Sequence, residues 1–494
     1  MTDTRKLTER AFFRAAGAPL IEGNDVRLLK DAAENYPAWL EAIGAARRHI
    51  HFESYIIHDD ETGCRFADAL IAKAAEGVRV RLIYDWMGGF GKTSRRFWER
   101  LRAGGVEVRG YNPPRLDRPL GWLSRDHRKM LAVDGRIGFI TGLCVGRMWV
   151  GIPKKGIAPW RDTGIEVRGP AVGDIERAFA RVWSMMGEPI PEGEIAAEDS
   201  AGKAGEVSLR VIATVPVTTS MYRLDQIIAA IVKKRLWLTD AYYGGIPSYV
   251  QSLRAAAKDG VDVRLLVPNA TDLPIMRPLS RAGYRTLLEA GVRVFEWNGT
   301  MLHAKTAVAD GRLARVGSTN LNFFGWFGNC ELDAFIEDER FASAMEEMYL
   351  QDLANSTEVV LDAKMKVRSP GAPSHHGQGM MSSGGGSGGR MAAGAIRIGN
   401  AVGAAFTDRR TLEPIEARLM TVVGAMLLVF AAFFVSFPRV PAYLLFILFA
   451  WGGFALLYRG AALSREKRRR KRLPENPQDA SSPRSSPMKD KDIN

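Results

Sequence analysis

Two nine-residue stretches decide the fold: HRKMLAVDG at 127–135 and HAKTAVADG at 303–311. Both fit His-x-Lys followed, after four further residues, by Asp-Gly, and they lie 176 residues apart (303 − 127). Apolar residues fill the middle of each, so each reads as a strand. Side chains two apart on a strand share a face, which puts His127 beside Lys129 and His303 beside Lys305. Asp134-Gly135 and Asp310-Gly311 read as tight hairpin turns. The same alternation turns Asp134 and Asp310 away from the His–Lys face, into a structural or supporting role.

The surroundings repeat as well. FADALIAKAAEGVRVRLIYD (66–85) has helical apolar spacing up to Gly77 and strand alternation after it. SYVQSLRAAAKDGVDVRLLVP (248–268) follows the same plan around Gly260, and FWERLRAGGVEVRGY (97–111) matches YRTLLEAGVRVFEW (284–297). Helix, glycine stop and β-branched strand recur, so the chain reads as two tandem α/β layered domains, at 1–200 and 201–367.

The 494 residues are 46% hydrophobic and 25% charged, which excludes collagen, coiled coil and wholesale disorder. Three cysteines, Cys64, Cys144 and Cys330, with no CxxC, argue against a disulfide framework or a cysteine zinc site. The N-terminus lacks the continuous apolar core of a signal peptide.

Lys and Arg number 68 against 55 Asp and Glu, a net charge of +13 that points to a phosphate-bearing partner. From Arg459 to Arg472 stand eight basic residues and one acid, so about half the excess sits at one end. It follows two uncharged runs, 419–437 and 440–458, split by Pro438-Arg439. Each run spans roughly 28 Å as a helix, close to a hydrocarbon core. They read as a two-helix transmembrane hairpin with basic flanks, within 397–473, both ends on the cytoplasmic side. A Gly/Ser linker at 368–396 precedes it, and a polar tail at 474–494 reads as disordered.

An imidazole and an ammonium on one face suit phosphate chemistry. Lys offers a point charge to phosphoryl oxygens. A neutral His can attack phosphorus or move protons near pH 7. Two such pairs can supply a nucleophile and an acid to one phosphodiester. A metal site fits poorly, because each half offers one ligand beside a repelling Lys.

The doubled HxKxxxxD motif resembles the phospholipase D superfamily. FESYIIHDDETGCRFADAL (52–70), WRDTGIEVRGPAV (160–172), MLHAKTAVADG (301–311) and GSTNLNFFGWFGNCELD (317–333) are similar to its bacterial cardiolipin synthase branch. The resemblance covers about residues 20–360. It implies two halves about a pseudo-twofold axis with one active site between them, its catalytic motif members being His127, Lys129, Asp134, His303, Lys305 and Asp310. One His would form a phosphohistidine and the other would act as acid and base, with His127 the nucleophile by the usual order. No metal or other cofactor is implied.

The family also implies a carboxylate some thirty residues past each His to orient its ring: Asp162 after His127, Glu331 after His303. GSTN (317–320) implies phosphate contacts from Ser318 and Asn320. The first half has TGLC (141–144), and Cys144 stands where the family has Asn. A small packed cysteine is the plainer reading of it than a reactive one.

WMGGFGKT (86–93) looks like a phosphate-binding loop but has Trp86 where the motif needs Gly. RLDRPLGWLSRD (115–126) mixes Leu120 and Trp122 with Arg, which suits either a surface that dips into anionic lipid or a loop packed over the domain.

The function these features predict is a phosphatidyltransferase making cardiolipin from phosphatidylglycerol, with phosphatidylglycerol or phosphatidylethanolamine as donor. It would sit at an anionic membrane, in a bacterial inner membrane, multi-pass, with its catalytic part cytoplasmic. A hydrolytic phospholipase D has the same motifs and differs only in acceptor. A superfamily nuclease has no evident need for the hairpin, so no nucleic-acid partner is expected. An inactive membrane scaffold conflicts with two intact motifs. Oligomeric state is not written in the sequence.

Overall fold

The computed structural model describes residues 3–361 apart from 115–122, 192, 196–201 and 274–275, together with 367–368 and scattered positions between 425 and 457. In the first half, strands run in the order β1 (Ile21–Lys30), β2 (His49–Ser54), β3 (Arg79–Asp85), β4 (Glu107–Tyr111), β5 (Lys129–Val133), β6 (Ile137–Thr141) and β7 (Thr163–Arg168). The second half follows with β8 (Val207–Thr214), β9 (Arg235–Thr239), β10 (Asp262–Ala270), β11 (Arg293–Met301), β12 (Thr306–Ala309), β13 (Leu313–Gly317) and β14 (Glu331–Glu337). Two further strands, β15 (Ser356–Leu361) and β16 (Val367–Arg368), lie beyond β11.

All belong to one mixed sheet. Its first half reads β1-β7-β6-β5-β2-β3-β4 and its second β8-β14-β13-β12-β9-β10-β11, the same order with seven added to each number. The halves join through antiparallel β1 and β8. Strands β2, β3 and β4 are parallel, as are β9, β10 and β11. Parallel neighbours need crossover helices, and the expected helices supply them. Glu61–Ala75 and Arg95–Ala103 serve the first half, Pro247–Lys258 and Met276–Leu288 the second. Gly77 and Gly260 end the first helix of each set at φ +88° and +89°, a backbone that residues with a Cβ rarely adopt.

The sheet is covered on both faces. One face of each half carries its own apolar cluster, around Trp39, Phe52 and Leu131 in the first and Leu238, Leu265 and Trp326 in the second. The other faces share a third cluster, in which Met130, Ile140 and Phe179 meet Leu302, Leu332 and Met345. Each large apolar side chain buried there contributes about 1.5–3 kcal/mol. The shared cluster therefore ties the halves into one body and fixes the geometry at their junction.

Among the described residues beyond 418, residues 432–436 are helical, and Leu428, Val429, Val435 and Phe449 are exposed. Among the described residues no helix is long and apolar enough to cross a membrane. The expected spans 419–437 and 440–458, the linker, the tail and the domain boundary at 200 fall largely outside the described residues.

Candidate active site

The two motifs enter the sheet in the same way. Strands β5 and β12 begin at Lys129 and Thr306, so His127, His303 and Lys305 lie just before the strands, not on them as expected. The reason is that the backbone there pairs across the junction. The His127 amide donates to the Cys330 carbonyl at 2.9 Å and the Cys330 amide to the Arg125 carbonyl at 2.8 Å. In mirror fashion, the His303 amide donates to Arg161 (2.7 Å) and the Arg161 amide to Met301 (2.9 Å). Each histidine is thus stitched to the half that does not contain it.

This stitching corrects the expected pairing of carboxylates. Glu331 does not serve His303, and Asp162 does not serve His127. His127 Nδ1 lies 2.9 Å and 3.0 Å from the two Glu331 oxygens, and His303 Nδ1 lies 2.7 Å from Asp162 Oδ2. The parallel bridges Asp126–Cys330 and Arg161–Leu302 place each carboxylate one residue from the bridge, beside the other half's histidine.

All six of these side chains are buried: His127, Lys129, Asp162, His303, Lys305 and Glu331. Burial, reinforced by the two lysines, holds His127 well below the ordinary histidine range. Burial and then Lys305 bring His303 down to about 3. Burial lowers Lys305 itself to about 8. The carboxylates differ. Burial pushes Glu331 up to about 8. Burial also pushes Asp162 upward, but His303, Lys305 and a hydrogen bond from Trp149 outweigh it and hold Asp162 below its usual value.

Lys129 Nζ bonds the His127 carbonyl and stands 5.3 Å from the Tyr55 ring centroid. Lys305 Nζ bonds the His303 carbonyl and lies 3.0 Å from His303 Nδ1. The Lys305 charge also acts on His127, and the Lys129 charge on His303. The two His–Lys pairs therefore share one electrostatic environment.

Asp134 and Asp310 are turned away from that environment. Asp134 accepts backbone N–H groups of Arg47, Arg48 and His49, and Asp310 those of Lys233, Lys234 and Arg235. Both sit at positive φ, +56° and +53°, in the expected turns. Each carboxylate anchors its turn to the start of β2 or β9.

Ser318 is spent differently from expectation. Its hydroxyl donates to Glu331 Oε2 at 2.6 Å and accepts the Leu332 amide at 2.9 Å, so it braces the carboxylate and has no hydrogen left for phosphate. Asn320 is buried with an unpartnered Oδ1. Cys144 is packed: burial raises its thiol, and its carbonyl accepts the Tyr36 hydroxyl at 2.6 Å. The turn at Trp86–Gly89 is no phosphate loop, since the Asp85 carboxylate already takes the Met87 and Gly88 amides. Leu120 and Trp122 lie outside the described residues.

Sequence reading missed several supports. Arg128 donates to the Glu331, Ala178 and Thr214 carbonyls at 3.1, 2.7 and 2.7 Å, clamping both halves. Arg161 holds Asp352 through two nitrogens, at 2.9 and 2.8 Å, and reaches Asp31, which also accepts the Asp162 amide. Asn329 donates to Glu331 at 3.0 Å. Only the adjacency of Arg128 and Arg161 to recognised motif residues could have flagged them.

Among the described residues one group has the composition of a cation site: His49, His51 and Glu176, all buried. The Arg81 charge acts on His51 and opposes a cation there. Glu176 instead bonds His49 Nε2 at 2.5 Å and the Gly135 amide at 2.9 Å, which secures the Asp134 turn.

A family model described as "Cardiolipin synthase, PLD-like domain" matches residues 39–148 and 226–353, which contain both motifs and Glu331. The cardiolipin synthase of Alkalihalophilus pseudofirmus is 33% identical over 347 residues, 69% of this chain and 68% of that protein. Cardiolipin synthase A of Pseudomonas aeruginosa is 34% identical over 366 residues, 73% of each. The chain belongs to the cardiolipin synthase family. As a member it is an enzyme of the phospholipase D superfamily. The fold agrees: the crystal structure of phosphatidylserine synthase from Haemophilus influenzae superposes with a TM-score of 0.58 at 14% identity, covering 71% of this chain and 92% of that one.

Proposed function

We propose that the chain is a phosphatidyltransferase that makes cardiolipin. The observation that carries this reading is the pair of buried His–Lys units, each histidine held by a carboxylate of the opposite half, in a chain of the cardiolipin synthase family. The acceptor is the free hydroxyl of phosphatidylglycerol. Phosphatidylglycerol serves as donor, with phosphatidylethanolamine the other candidate. The repeated strand order supports two tandem halves around a pseudo-twofold axis, with the site at their junction.

In the first step His127 Nε2 attacks phosphorus and the P–O bond to the headgroup alcohol breaks. His303 gives its proton to that alcohol, leaving a phosphatidyl-histidine. In the second step His303 takes the proton of the incoming phosphatidylglycerol hydroxyl, whose oxygen attacks phosphorus and frees His127. The diester is rebuilt, so atoms and charge balance with no water consumed. Lys129 and Lys305 stabilise the charge on the phosphoryl oxygens. Ionised Asp162 stabilises the His303 imidazolium that the second step creates. A bound diester anion raises His303 from its low value, because it offsets the lysines.

This account predicts a pH dependence. With Glu331 raised to about 8, one proton is held between Glu331 and His127 at pH 7. A protonated Glu331 donates to Nδ1 and leaves the ring proton on Nε2; once Glu331 ionises, that proton moves to Nδ1 and Nε2 is bare for attack. Turnover is expected to rise from pH 6.5 toward 8.5, measured as kcat with saturating phosphatidylglycerol. Saturation matters because the bound diester keeps Lys305 protonated. A fall over this range would exchange the roles of the two histidines.

The hydrophobic runs 419–437 and 440–458 support a membrane hairpin, which would hold the catalytic halves at the cytoplasmic leaflet of a bacterial inner membrane, where both lipids lie in two dimensions. Phe90, Val150, Val217 and Phe323 are exposed on connections that follow β3, β6, β8 and β13. Within each half those strand ends lie at the same end as that half's histidine, which suits a lipid-facing mouth. The test is product analysis of the purified full chain on phosphatidylglycerol vesicles. Cardiolipin and glycerol are expected in equal amounts; phosphatidic acid and glycerol with no cardiolipin would make the enzyme a hydrolase.

A further inference from the structure

We propose that Trp149 is a positioning residue for the Asp162–His303 pair, its indole N–H fixing the carboxylate that fixes the histidine ring. The role rests on the phosphatidyltransferase reading above only for its effect on turnover.

The geometry is direct. Trp149 Nε1 donates to Asp162 Oδ2 at 3.0 Å, the same oxygen that lies 2.7 Å from His303 Nδ1. Asp162 Oδ1 accepts the Thr163 amide at 2.9 Å. The carboxylate therefore cannot rotate without breaking a bond at each oxygen. Trp149 is fully buried and meets His303 edge-on, centroids 5.6 Å apart at 83°, while Trp160 flanks the same imidazole at 5.6 Å. The indole thus donates one hydrogen and walls off water with the rest of its ring. It sits on the short turn Arg147–Val150, held by the Gly151 amide on Arg147 at 2.8 Å and the Trp160 amide on Met148 at 3.0 Å.

The second half solves the same problem with other groups. Glu331 takes the Ser318 hydroxyl at 2.6 Å and the Asn329 amide at 3.0 Å. The counterpart of Ser318 in TGLC is Gly142, and it has no room for a side chain: a Cβ there would lie 2.2 Å from Asp162 Oδ1. The first half cannot brace its carboxylate from that position, and Trp149 supplies the donor from the other side. A buried carboxylate oxygen deprived of a donor loses a charge-assisted bond. Its affinity for a proton then rises, and its hold on the Nδ1–H tautomer of His303 loosens.

The experiment compares Trp149→Phe and Trp149→His in the full chain. Phenylalanine keeps a ring but has no N–H. The imidazole of histidine overlays the five-membered part of the indole, with Nε2 where the indole nitrogen was. For Trp149→Phe, kcat is expected to fall roughly ten- to hundredfold with KM for phosphatidylglycerol little changed. Trp149→His should recover part of the rate. Nitrogen-15 spectra of the histidine side chains need no turnover: His303 should hold its proton on Nδ1 in the parent chain and show mixed tautomers in Trp149→Phe. If the parent makes no cardiolipin, these spectra still judge Trp149, and only the functional reading falls. A parent-like tautomer of His303 in Trp149→Phe would overturn the proposal. Equal losses in both variants with an equally lowered melting temperature would also overturn it, by reducing Trp149 to packing.

Discussion

Replacing His127 by alanine is expected to lower phosphatidyl transfer by at least about 10⁴-fold, to the background left by binding and charge stabilisation alone. His127 is the group proposed to bond phosphorus, and nothing beside it can substitute. Lys129, two residues on, has its ammonium bonded to the His127 carbonyl, and Cys144 is a packed thiol raised by burial. The loss should appear in kcat, with lipid binding retained, because Lys129 and Lys305 still meet the phosphate. The check is a rate assay with radiolabelled phosphatidylglycerol, alongside a melting curve. A folded His127→Ala chain with more than about a hundredth of the parent rate would remove His127 from the bond-making step.

The second expected result separates the two carboxylates by their crossed partners. A substrate whose headgroup is replaced by p-nitrophenol needs no proton on departure. With that substrate, Asp162→Asn should still form the phosphatidyl-histidine on His127. It should then stall, because His303 can no longer be oriented to activate the acceptor. A burst of one p-nitrophenol per site followed by turnover about 10³–10⁴-fold below the parent is expected, since an amide in place of a histidine-orienting carboxylate favours the wrong tautomer. Glu331→Gln should show no burst, because Glu331 holds the nucleophile itself. Pairing within each half would give the reverse: a burst from Glu331→Gln and none from Asp162→Asn.

That crossing marks where the sequence stopped being readable. The helix–glycine–strand units were legible because each obeys local rules: apolar spacing up to Gly77 or Gly260, then alternation. The structure places helices and strands there with those glycines at positive φ. The Asp-Gly turns after β5 and β12 were legible for the same reason, and so was the outward turn of Asp134 and Asp310. Spacing along the chain, however, says nothing about which half a carboxylate faces. Thirty-five residues separate His127 from Asp162 (162 − 127), yet the Arg161–Leu302 bridge delivers Asp162 to His303. Ser318 was misread in the same way: a hydroxyl beside a phosphate site suggested a phosphate contact, while the fold had already committed it to Glu331. Trp149 carries no periodic or motif signal, Arg128 and Arg161 only their adjacency to motif residues, and tertiary packing alone reveals what the three hold.

The measurement that tests the central claim most directly is a mass spectrometric inventory of lipids. The host would be a bacterium lacking its own cardiolipin synthases, expressing either this chain or its His303→Ala variant. Cardiolipin is expected only with the intact chain, and the lipid depleted beside it names the donor. Phosphatidic acid rising in place of cardiolipin, or cardiolipin formed equally by the His303→Ala variant, would contradict the account.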